Sequence, residues 1–251
     1  MRMREYSESV PKPMVPVGSR PIIWHVMKYY AHYGHKDFIL CLGYKGEVIK
    51  NYFRTYDETH SNDFVLSGGG KKVELLASDI DDWRITFVDT GLKANIAERL
   101  KVVEKYLNGE EIFLANYTDG VCDAPLPEVI QRFKESGTVA SLISVSPRAT
   151  YHMITTDEAG RIKSVDHIAK MGTRINGGFF VFSKEIFNHI EEGDDLEEGT
   201  FRRLISKREL FAYTHKGFWA CMDTFKEQRE LEDLYASGRA PWAVWNGNGK
   251  H

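Results

Sequence analysis

Two aspartates that each follow a short apolar run are candidates for phosphate chemistry. Asp119 follows the run EIFLANYT at residues 111–118, and Asp223 closes the run GFWACM at residues 217–222. In an open α/β sheet, ligands bind at the carboxyl ends of the strands, where carboxylate oxygens can hold a hard cation such as Mg²⁺. The alternative is that both are ordinary turn aspartates, because Asp favours turns for its own hydrogen-bonding reasons.

Lys12 lies between Pro11 and Pro13, which restrict its backbone. A stiff turn that holds one ammonium group suits a phosphate contact. The alternative is a solvated lysine in a loop.

The secondary-structure elements that must position these residues alternate between strand and helix up to residue 145. We predict helices at residues 21–33, 47–56, 96–107 and 127–136, strands at 38–42, 73–76, 85–88, 111–115 and 139–145, and a polar surface loop at 57–71. This alternation predicts an α/β fold with a doubly wound, mostly parallel, Rossmann-like sheet.

After residue 150 the pattern changes to a smaller, mixed α+β elaboration. We predict strands at 151–155, 162–167, 175–182 and 211–214 and helices at 184–191, 199–208 and 224–237. We expect one domain over residues 1–251, in which this second part forms the far wall of a single cleft.

Composition excludes several classes of protein. Among 251 residues, 33 Lys and Arg against 36 Asp and Glu give a net charge of −3, so no partner such as nucleic acid or an anionic membrane is indicated. No apolar run approaches the ~20 residues of a membrane span, and the start MRMRE lacks the apolar stretch of a signal peptide. Three cysteines without metal-ligand spacing are typical of reduced thiols in a cytoplasmic protein.

The strongest motif is VPKPMVPVG at residues 10–18, followed by RPIIWH at residues 20–25. It resembles the P-K-P-[ML]-[VL]-x-[VI]-x-x-x-P-[IL] signature of the sugar-1-phosphate nucleotidyltransferases. Further segments, in the family's order, resemble the glucose-1-phosphate cytidylyltransferase branch: HYG (32–34), DFILCLGYKG (37–46), VIKNYF (48–53), VDTG (88–91), INGGFFV (175–181) and GFWACMDT (217–224).

The resemblance implies that a sugar 1-phosphate oxygen attacks the α-phosphorus of a nucleoside triphosphate, with CTP favoured. Pyrophosphate leaves and an NDP-sugar for polysaccharide biosynthesis forms, without a protein nucleophile. Asp119 and Asp223 match the family's Mg²⁺-holding aspartates, and Lys12 matches a phosphate contact. Asp123 is expected to be a cap or turn residue.

The resemblance also assigns residues to the two substrates. Gly43, Tyr44, Thr90 and Gly91 match the loops around the base and ribose, in the nucleotide-binding part at residues 1–150. Each has an alternative as a plain turn residue.

Asn176 and Gly177 match the sugar side, in the sugar-binding part at residues 151–251 that also includes the C-terminal helices. The family's Glu-Lys-Pro is replaced here by VDHIAKM at residues 165–171. His167 falls on the position of the sugar-phosphate lysine, or Lys170 does with a small shift. The resemblance favours glucose 1-phosphate as the sugar phosphate. Because a neutral imidazole is a weaker phosphate partner than an ammonium, the alternatives are a different sugar phosphate or weaker binding of glucose 1-phosphate.

The family pattern opens with an apolar strand and a glycine-rich loop, G-G-x-G-x-R, whose final Arg aligns with Arg2 as a catalytic residue. The chain begins one residue before Arg2, so the apolar strand and the rest of the loop are absent from this sequence. We therefore expect the sequence to be truncated, through a late start codon or a trimmed gene model. The alternative is a natural variant with an impaired nucleotide site.

Three hypotheses of function remain open from the sequence. The first is the nucleotidyltransferase, and the second is a non-catalytic relative that binds nucleotide or sugar phosphate without turnover. The third is a glycosyltransferase, which requires an Asp-x-Asp metal motif at a strand end. Asp79-Ile80-Asp81 has this spacing but precedes its strand, so this hypothesis is discounted.

Relatives form oligomers, so the aromatic run PWAVW at residues 241–245 either contacts a second copy in a homo-oligomer or covers its own core.

Overall fold

The computed structural model describes residues 10–148, 151–168 and 171–246. Its helices are α1 (Ile22–His32), α2 (Gly46–Arg54), α3 (Ile96–Val103), α4 (Leu126–Ser136), α5 (Arg202–Lys207) and α6 (Phe225–Ala236). Its strands are β1 (Pro16–Val17), β2 (Arg20–Pro21), β3 (Asp37–Leu42), β4 (Phe64–Ser67), β5 (Lys72–Leu75), β6 (Arg84–Asp89), β7 (Ile112–Asn116), β8 (Gly120–Cys122), β9 (Ala140–Val145), β10 (His152–Thr156), β11 (Ile162–His167), β12 (Ile175–Ser183), β13 (Leu210–Thr214) and β14 (Trp219–Cys221). In the described part of the chain, no helix is long and apolar enough to cross a bilayer.

The largest sheet combines strands from both parts of the chain. It has the order β13-β9-β12-β7, in which β13 runs parallel to β9 and β12 runs antiparallel to both of its neighbours. Strands β3 and β6 form a second, parallel pair. The predicted α/β class is confirmed, and the antiparallel β12 makes the sheet more mixed than a uniformly alternating pattern implies.

Strand β12 joins two apolar cores because its side chains alternate between the faces of the sheet. Phe179 and Val181 pack with α1 and α4 on one face, whereas Phe180 and Phe182 pack with α3 and α5 on the other. This double burial fixes the strand, and with it the Ile175–Gly178 end that carries the predicted sugar-side residues.

The segment predicted as a loop at residues 57–71 is partly regular. It contains a 3₁₀ turn at Glu58–His60 and strand β4, which pairs with β5 in a hairpin. The prediction was wrong here because every side chain of β4 is exposed, so the strand lacks the alternation by which half-buried strands are recognised.

Two predicted helices in the second part also differ. Residues 184–191 form only a 3₁₀ turn at Lys184–Asn188, and 199–208 divides into a π-helical turn at Leu196–Phe201 followed by α5. The π turn begins early because the Asp195 side chain accepts the N–H groups of Glu197 and Glu198.

A cavity of about 1220 Å³ lies between β3 and β7. Within the described residues, β3 has β6 as its ladder partner and β7 has β12, and the two strands are not paired with each other. The lining of the cavity extends to Asn116 and Asp119 beyond the carboxyl end of β7. The candidate phosphate site therefore borders this cavity.

The C-terminal aromatic run covers the chain's own core. Trp242 is buried, and its indole Nε1 donates to His25 Nδ1 at 3.4 Å. His25 Nε2 lies 2.8 Å from the Val17 carbonyl oxygen. His25 is thus a neutral ring that donates through Nε2 and accepts at Nδ1, which ties α1 to both ends of the described chain.

This arrangement predicts a pH-dependent stability. Burial lowers the pKa of His25 from 6.5 to about 4, so the unfolded chain takes up the proton first as the pH falls. Stability conferred by the neutral ring should be complete above about pH 6.5 and decline toward about pH 4, by up to about 3 kcal/mol. Urea unfolding across this range should show a flatter dependence for His25→Gln than for the exposed control His60→Gln; equal slopes would contradict this account.

Candidate active site

Pairing of two short strands brings the two candidate aspartates together. Strands β8 and β14 are antiparallel, with Gly120 opposite Cys221. Asp119 immediately precedes β8, and Asp223 follows β14 by two residues; between them the Met222 N–H donates to the Asp119 carbonyl at 2.8 Å. An antiparallel pair places the start of one strand beside the end of the other, so the two side chains meet.

The backbone of Asp223 is fixed by the start of α6. Its N–H donates to Glu227 Oε2 at 2.8 Å. Glu227 also forms a capping box with Thr224, in which each side chain accepts from the backbone N–H of the other. Asp223 is therefore set at the junction of a strand and a well-capped helix.

Lys12 completes the cluster from a proline-bounded 3₁₀ turn, Lys12–Met14. Its Nζ lies 2.6 Å from Asp119 Oδ2 and 2.5 Å from Asp223 Oδ1. The side chains of Lys12, Asp119 and Asp223 are 33%, 29% and 60% exposed. The structure thus brings all three residues to one solvent-accessible point.

Charge complementarity shapes this cluster, which we call the ammonium–carboxylate cluster. Burial alone would lower the pKa of Lys12, but the hydrogen bonds and charges of Asp119 and Asp223 outweigh it and raise that pKa. The hydrogen bond from Lys12 lowers the pKa of Asp223. The ammonium is therefore protonated, and Asp223 is ionised, at neutral pH.

The donor set fits a magnesium ion. Two carboxylates converge from partly exposed positions, and Mg²⁺ prefers such oxygens while keeping several waters, so it needs few protein ligands. No group of three or more His, Cys, Asp or Glu residues suited to a metal occurs within residues 10–148, 151–168 and 171–246. Asp119 and Asp223 are the residues that would hold such an ion, because their carboxylates converge on one point.

Asp123 connects the end of β8 to the segment before β14, and it lies outside both an assigned turn and a helix cap. Its Oδ1 accepts from the Phe218 N–H at 2.7 Å and lies 2.8 Å from His215 Nε2. These contacts hold the end of β8 to the start of β14. They stabilise the strand pair that carries Asp119 and Asp223 at its opposite end, and Asp123 itself lies outside the ammonium–carboxylate cluster.

The predicted nucleotide residues cluster at the carboxyl ends of β3 and β6. The Thr90 hydroxyl donates to the Leu42 carbonyl at 2.9 Å and accepts from Arg99 Nη1 at 2.6 Å. A Cβ at Gly43 would lie 2.7 Å from Arg99 Nη2 and 3.2 Å from the Gly91 carbonyl oxygen. A side chain at Gly43 would therefore displace the Arg99 guanidinium and press on the Gly91 carbonyl oxygen.

Tyr44 follows Gly43 and is 54% exposed, with the Lys45 ammonium 5.4 Å from its ring centroid. Its ring is accessible to a ligand at this edge of the sheet.

Arg99 was not predicted from the sequence. It lies in α3, next to the apolar positions Ile96, Leu100 and Val103, and nothing in the local pattern marks it. Only the packing of α3 against β3 brings its guanidinium to Thr90.

The predicted sugar-side residues lie at the start of β12. Asn176 Nδ2 donates to Glu197 Oε1 at 3.3 Å, and the same oxygen accepts from the Tyr117 hydroxyl. The Gly177 carbonyl accepts from Trp219 Nε1 at 2.8 Å. Sequence reasoning identified neither Glu197 nor Tyr117, because their positions depend on contacts between distant elements.

His167 lies on β11, opposite His152 on β10, with ring centroids 5.3 Å apart. It lines a separate cavity of about 420 Å³ together with Arg148 and Lys216. Arg2 and Lys170, the other two predicted site residues, lie outside the described residues.

The family model described as "Nucleotidyl transferase" matches residues 1–236, which is most of the chain. The chain belongs to the nucleotidyl transferase family. This confirms the resemblance to the sugar-1-phosphate nucleotidyltransferases that the ordered motifs indicated.

Known proteins similar to this nucleotidyltransferase agree with that placement. It is 37% identical over 246 residues to glucose-1-phosphate cytidylyltransferase of Salmonella typhi, covering 97% of this chain and 95% of that protein. It is 35% identical, with the same coverage, to a probable glucose-1-phosphate cytidylyltransferase of Bacillus subtilis (strain 168). A crystal structure of UDP-glucose pyrophosphorylase complexed with UDP-glucose aligns with a TM-score of 0.65 at 16% identity, covering 93% of each chain, a likeness that shows the shared fold.

The ammonium–carboxylate cluster predicts a measurable pKa change in this nucleotidyltransferase. Lys12→Met removes the hydrogen bond that lowers the pKa of Asp223, so that pKa should rise. Carboxyl ¹³C NMR titration would detect the change. The control Lys184→Met, at a lysine that is 50% exposed and pairs with Glu111 before β7, should leave the Asp223 titration unaltered. An unchanged Asp223 titration in Lys12→Met would show that the two groups do not meet in solution.

Proposed function

We propose that this nucleotidyltransferase transfers a cytidylyl group from CTP to a sugar 1-phosphate, with glucose 1-phosphate as the expected acceptor. The products are a CDP-sugar and pyrophosphate. The observation that carries the proposal is the meeting of Lys12 with Asp119 and Asp223. The choice of CTP and glucose 1-phosphate is supported by the names of the relatives that are 35–37% identical over 97% of the chain.

The proposed reaction is an in-line displacement at the α-phosphorus. A phosphate oxygen of the sugar 1-phosphate forms the new P–O bond, and the bond to the bridging oxygen of pyrophosphate breaks. Negative charge crowds around this phosphorus, so positioning and neutralisation are the chief requirements. The Lys12 ammonium meets this need by turning from the carboxylates to the phosphate oxygens, and Mg²⁺ supplies Lewis-acid neutralisation when Asp119 and Asp223 hold it.

The two substrates are proposed to bind on opposite sides of this cluster. The nucleotide side is formed by Gly43, Thr90 and Gly91, with Arg99 as an added cation. The sugar side is formed by Asn176 and Gly177, whose amide and main-chain groups pair with hydroxyls.

The test is pyrophosphate release by the full-length protein with Mg²⁺, glucose 1-phosphate and each of CTP, UTP, GTP, ATP and dTTP. We expect release that requires the sugar phosphate and is fastest with CTP. Faster turnover with another nucleotide, or with another sugar 1-phosphate in place of glucose 1-phosphate, would overturn the specific assignment. No turnover with any pair, together with calorimetric binding of nucleotide or sugar phosphate, would identify a non-catalytic binding protein instead.

Substitutions in the ammonium–carboxylate cluster should reduce turnover strongly. Lys12→Met, Asp119→Asn and Asp223→Asn each remove a charge that faces the phosphates, and we expect kcat to fall by about 10²–10³-fold. The matched controls are Lys184→Met, at a lysine that pairs with Glu111 before β7, and Asp233→Asn, on the exposed face of α6. Steady-state kinetics that show equal activity in the cluster variants and the controls would exclude these roles.

Removal of divalent cations should abolish turnover reversibly. We expect EDTA to stop pyrophosphate release and added Mg²⁺ to restore it, because two carboxylates hold the ion. In Asp223→Asn, half-maximal activity should require a higher Mg²⁺ concentration than in wild type. Full activity in EDTA, or an unchanged Mg²⁺ requirement in that variant, would contradict the assignment of these ligands.

A further inference from the structure

Glu197 lies where the loop that carries Asp119, before β8, meets the start of β12. Asp195 Oδ1 accepts the Glu197 N–H at 2.9 Å and the Glu198 N–H at 3.0 Å, which fixes the backbone at the start of the π turn. From there the half-buried Glu197 side chain extends to Tyr117 and Asn176. One carboxylate oxygen, Oε1, accepts from both.

These two donors belong to different walls of the candidate site. Tyr117 precedes Asp119 by two residues, and Asn176 is the second residue of β12. Their backbones are already joined, because the Tyr117 N–H donates to the Gly178 carbonyl at 2.8 Å and the Gly178 N–H donates to Asn176 Oδ1 at 2.9 Å. What remains to be fixed is which way the hydroxyl proton and the amide protons point.

Glu197 fixes that direction through its charge. A tyrosine hydroxyl has a single proton. Because Tyr117 donates this proton in its hydrogen bond to Glu197, its oxygen can act only as an acceptor toward other neighbours. The Asn176 amide donates to Glu197 and also to the Tyr117 oxygen, so the three side chains form one hydrogen-bonded set. Bonds to a carboxylate are stronger than neutral ones, and burial together with Glu197 raises the pKa of Tyr117, so its hydroxyl stays protonated.

The Tyr117 oxygen keeps a second lone pair as an acceptor, and Tyr117 lines the cavity between β3 and β7. A sugar hydroxyl has one proton to donate, so it complements this acceptor. A deoxy sugar would leave the half-buried oxygen unpaired, and polar groups left without partners discriminate strongly against an analogue that lacks the hydroxyl.

We propose that Glu197 is a positioning residue that sets the hydrogen-bonding polarity of the sugar wall through Tyr117 and Asn176. It thereby selects a hexose 1-phosphate that carries a hydroxyl at this wall. The proposal deepens the proposed function and rests on it for the identity of the sugar phosphate.

The test compares Glu197→Gln with Glu198→Gln, the same substitution one position along. Glu198 is 70% exposed and pairs with Arg202 on the surface. In Glu197→Gln we expect the KM for glucose 1-phosphate to rise about 10- to 100-fold, with the KM for CTP changed less than about 2-fold. Discrimination between glucose 1-phosphate and its monodeoxy analogues should fall by a similar factor, and Glu198→Gln should match wild type.

A double-mutant cycle separates positioning from simple loss of folding. If Glu197 acts through Tyr117, the variant Glu197→Gln/Tyr117→Phe should raise the KM for the sugar phosphate no further than Glu197→Gln alone. The proposal is overturned if Glu197→Gln leaves that KM and the discrimination unchanged. It is equally overturned if the KM values of both substrates rise together, since that indicates general loosening of the site.

Failure of the proposed function can be told apart from failure of this inference. If wild type shows no turnover, the proposed function fails, and calorimetric titration of wild type, Glu197→Gln and Glu198→Gln with glucose 1-phosphate tests Glu197 by itself. Weaker binding by Glu197→Gln alone supports the inference. Equal binding by all three proteins, or no binding by wild type, overturns it.

Discussion

The ammonium of Lys12, held between the carboxylates of Asp119 and Asp223, is the interaction on which the candidate site depends. Two carboxylates that share a site disfavour each other's ionisation unless a cation lies between them. Because these groups are partly exposed, the pairs contribute little to folding stability. In the proposed mechanism, the two carboxylates would exchange the ammonium for a divalent cation, and the ammonium would move to a phosphate.

The fold builds this hollow from elements that are far apart in sequence. The β8–β14 pair brings the aspartates together, Asp123 clamps its open end, and a proline-bounded turn adds the lysine. Strand β12 is buried on both faces and carries the sugar-side residues to the same region. Backbone pairing and apolar packing stabilise β8, β12 and β14 without the charges of Lys12, Asp119 and Asp223.

The sequence was sufficient for the α/β class and for the meeting of the three charged residues, because each of them ends an apolar run or lies in a specific motif. It was insufficient for Arg99 and Glu197, whose positions depend on how α3 packs on β3 and where the Leu196–Phe201 turn lies. Strand β4 was missed for a different reason: its exposed Phe64, Val65 and Leu66 give no alternating pattern. Local patterns report burial and turns, whereas contacts between distant elements require the tertiary structure.

The most direct test of the central claim is a double-mutant cycle for cation binding. Mn²⁺ affinity would be measured by electron paramagnetic resonance in wild type, Asp119→Asn, Asp223→Asn and the double variant. If both carboxylates hold one ion, each single substitution should weaken binding strongly and the double variant should lose less than the two single effects combined. Independent, additive effects, or wild-type affinity in either single variant, would show that the two aspartates do not share a cation.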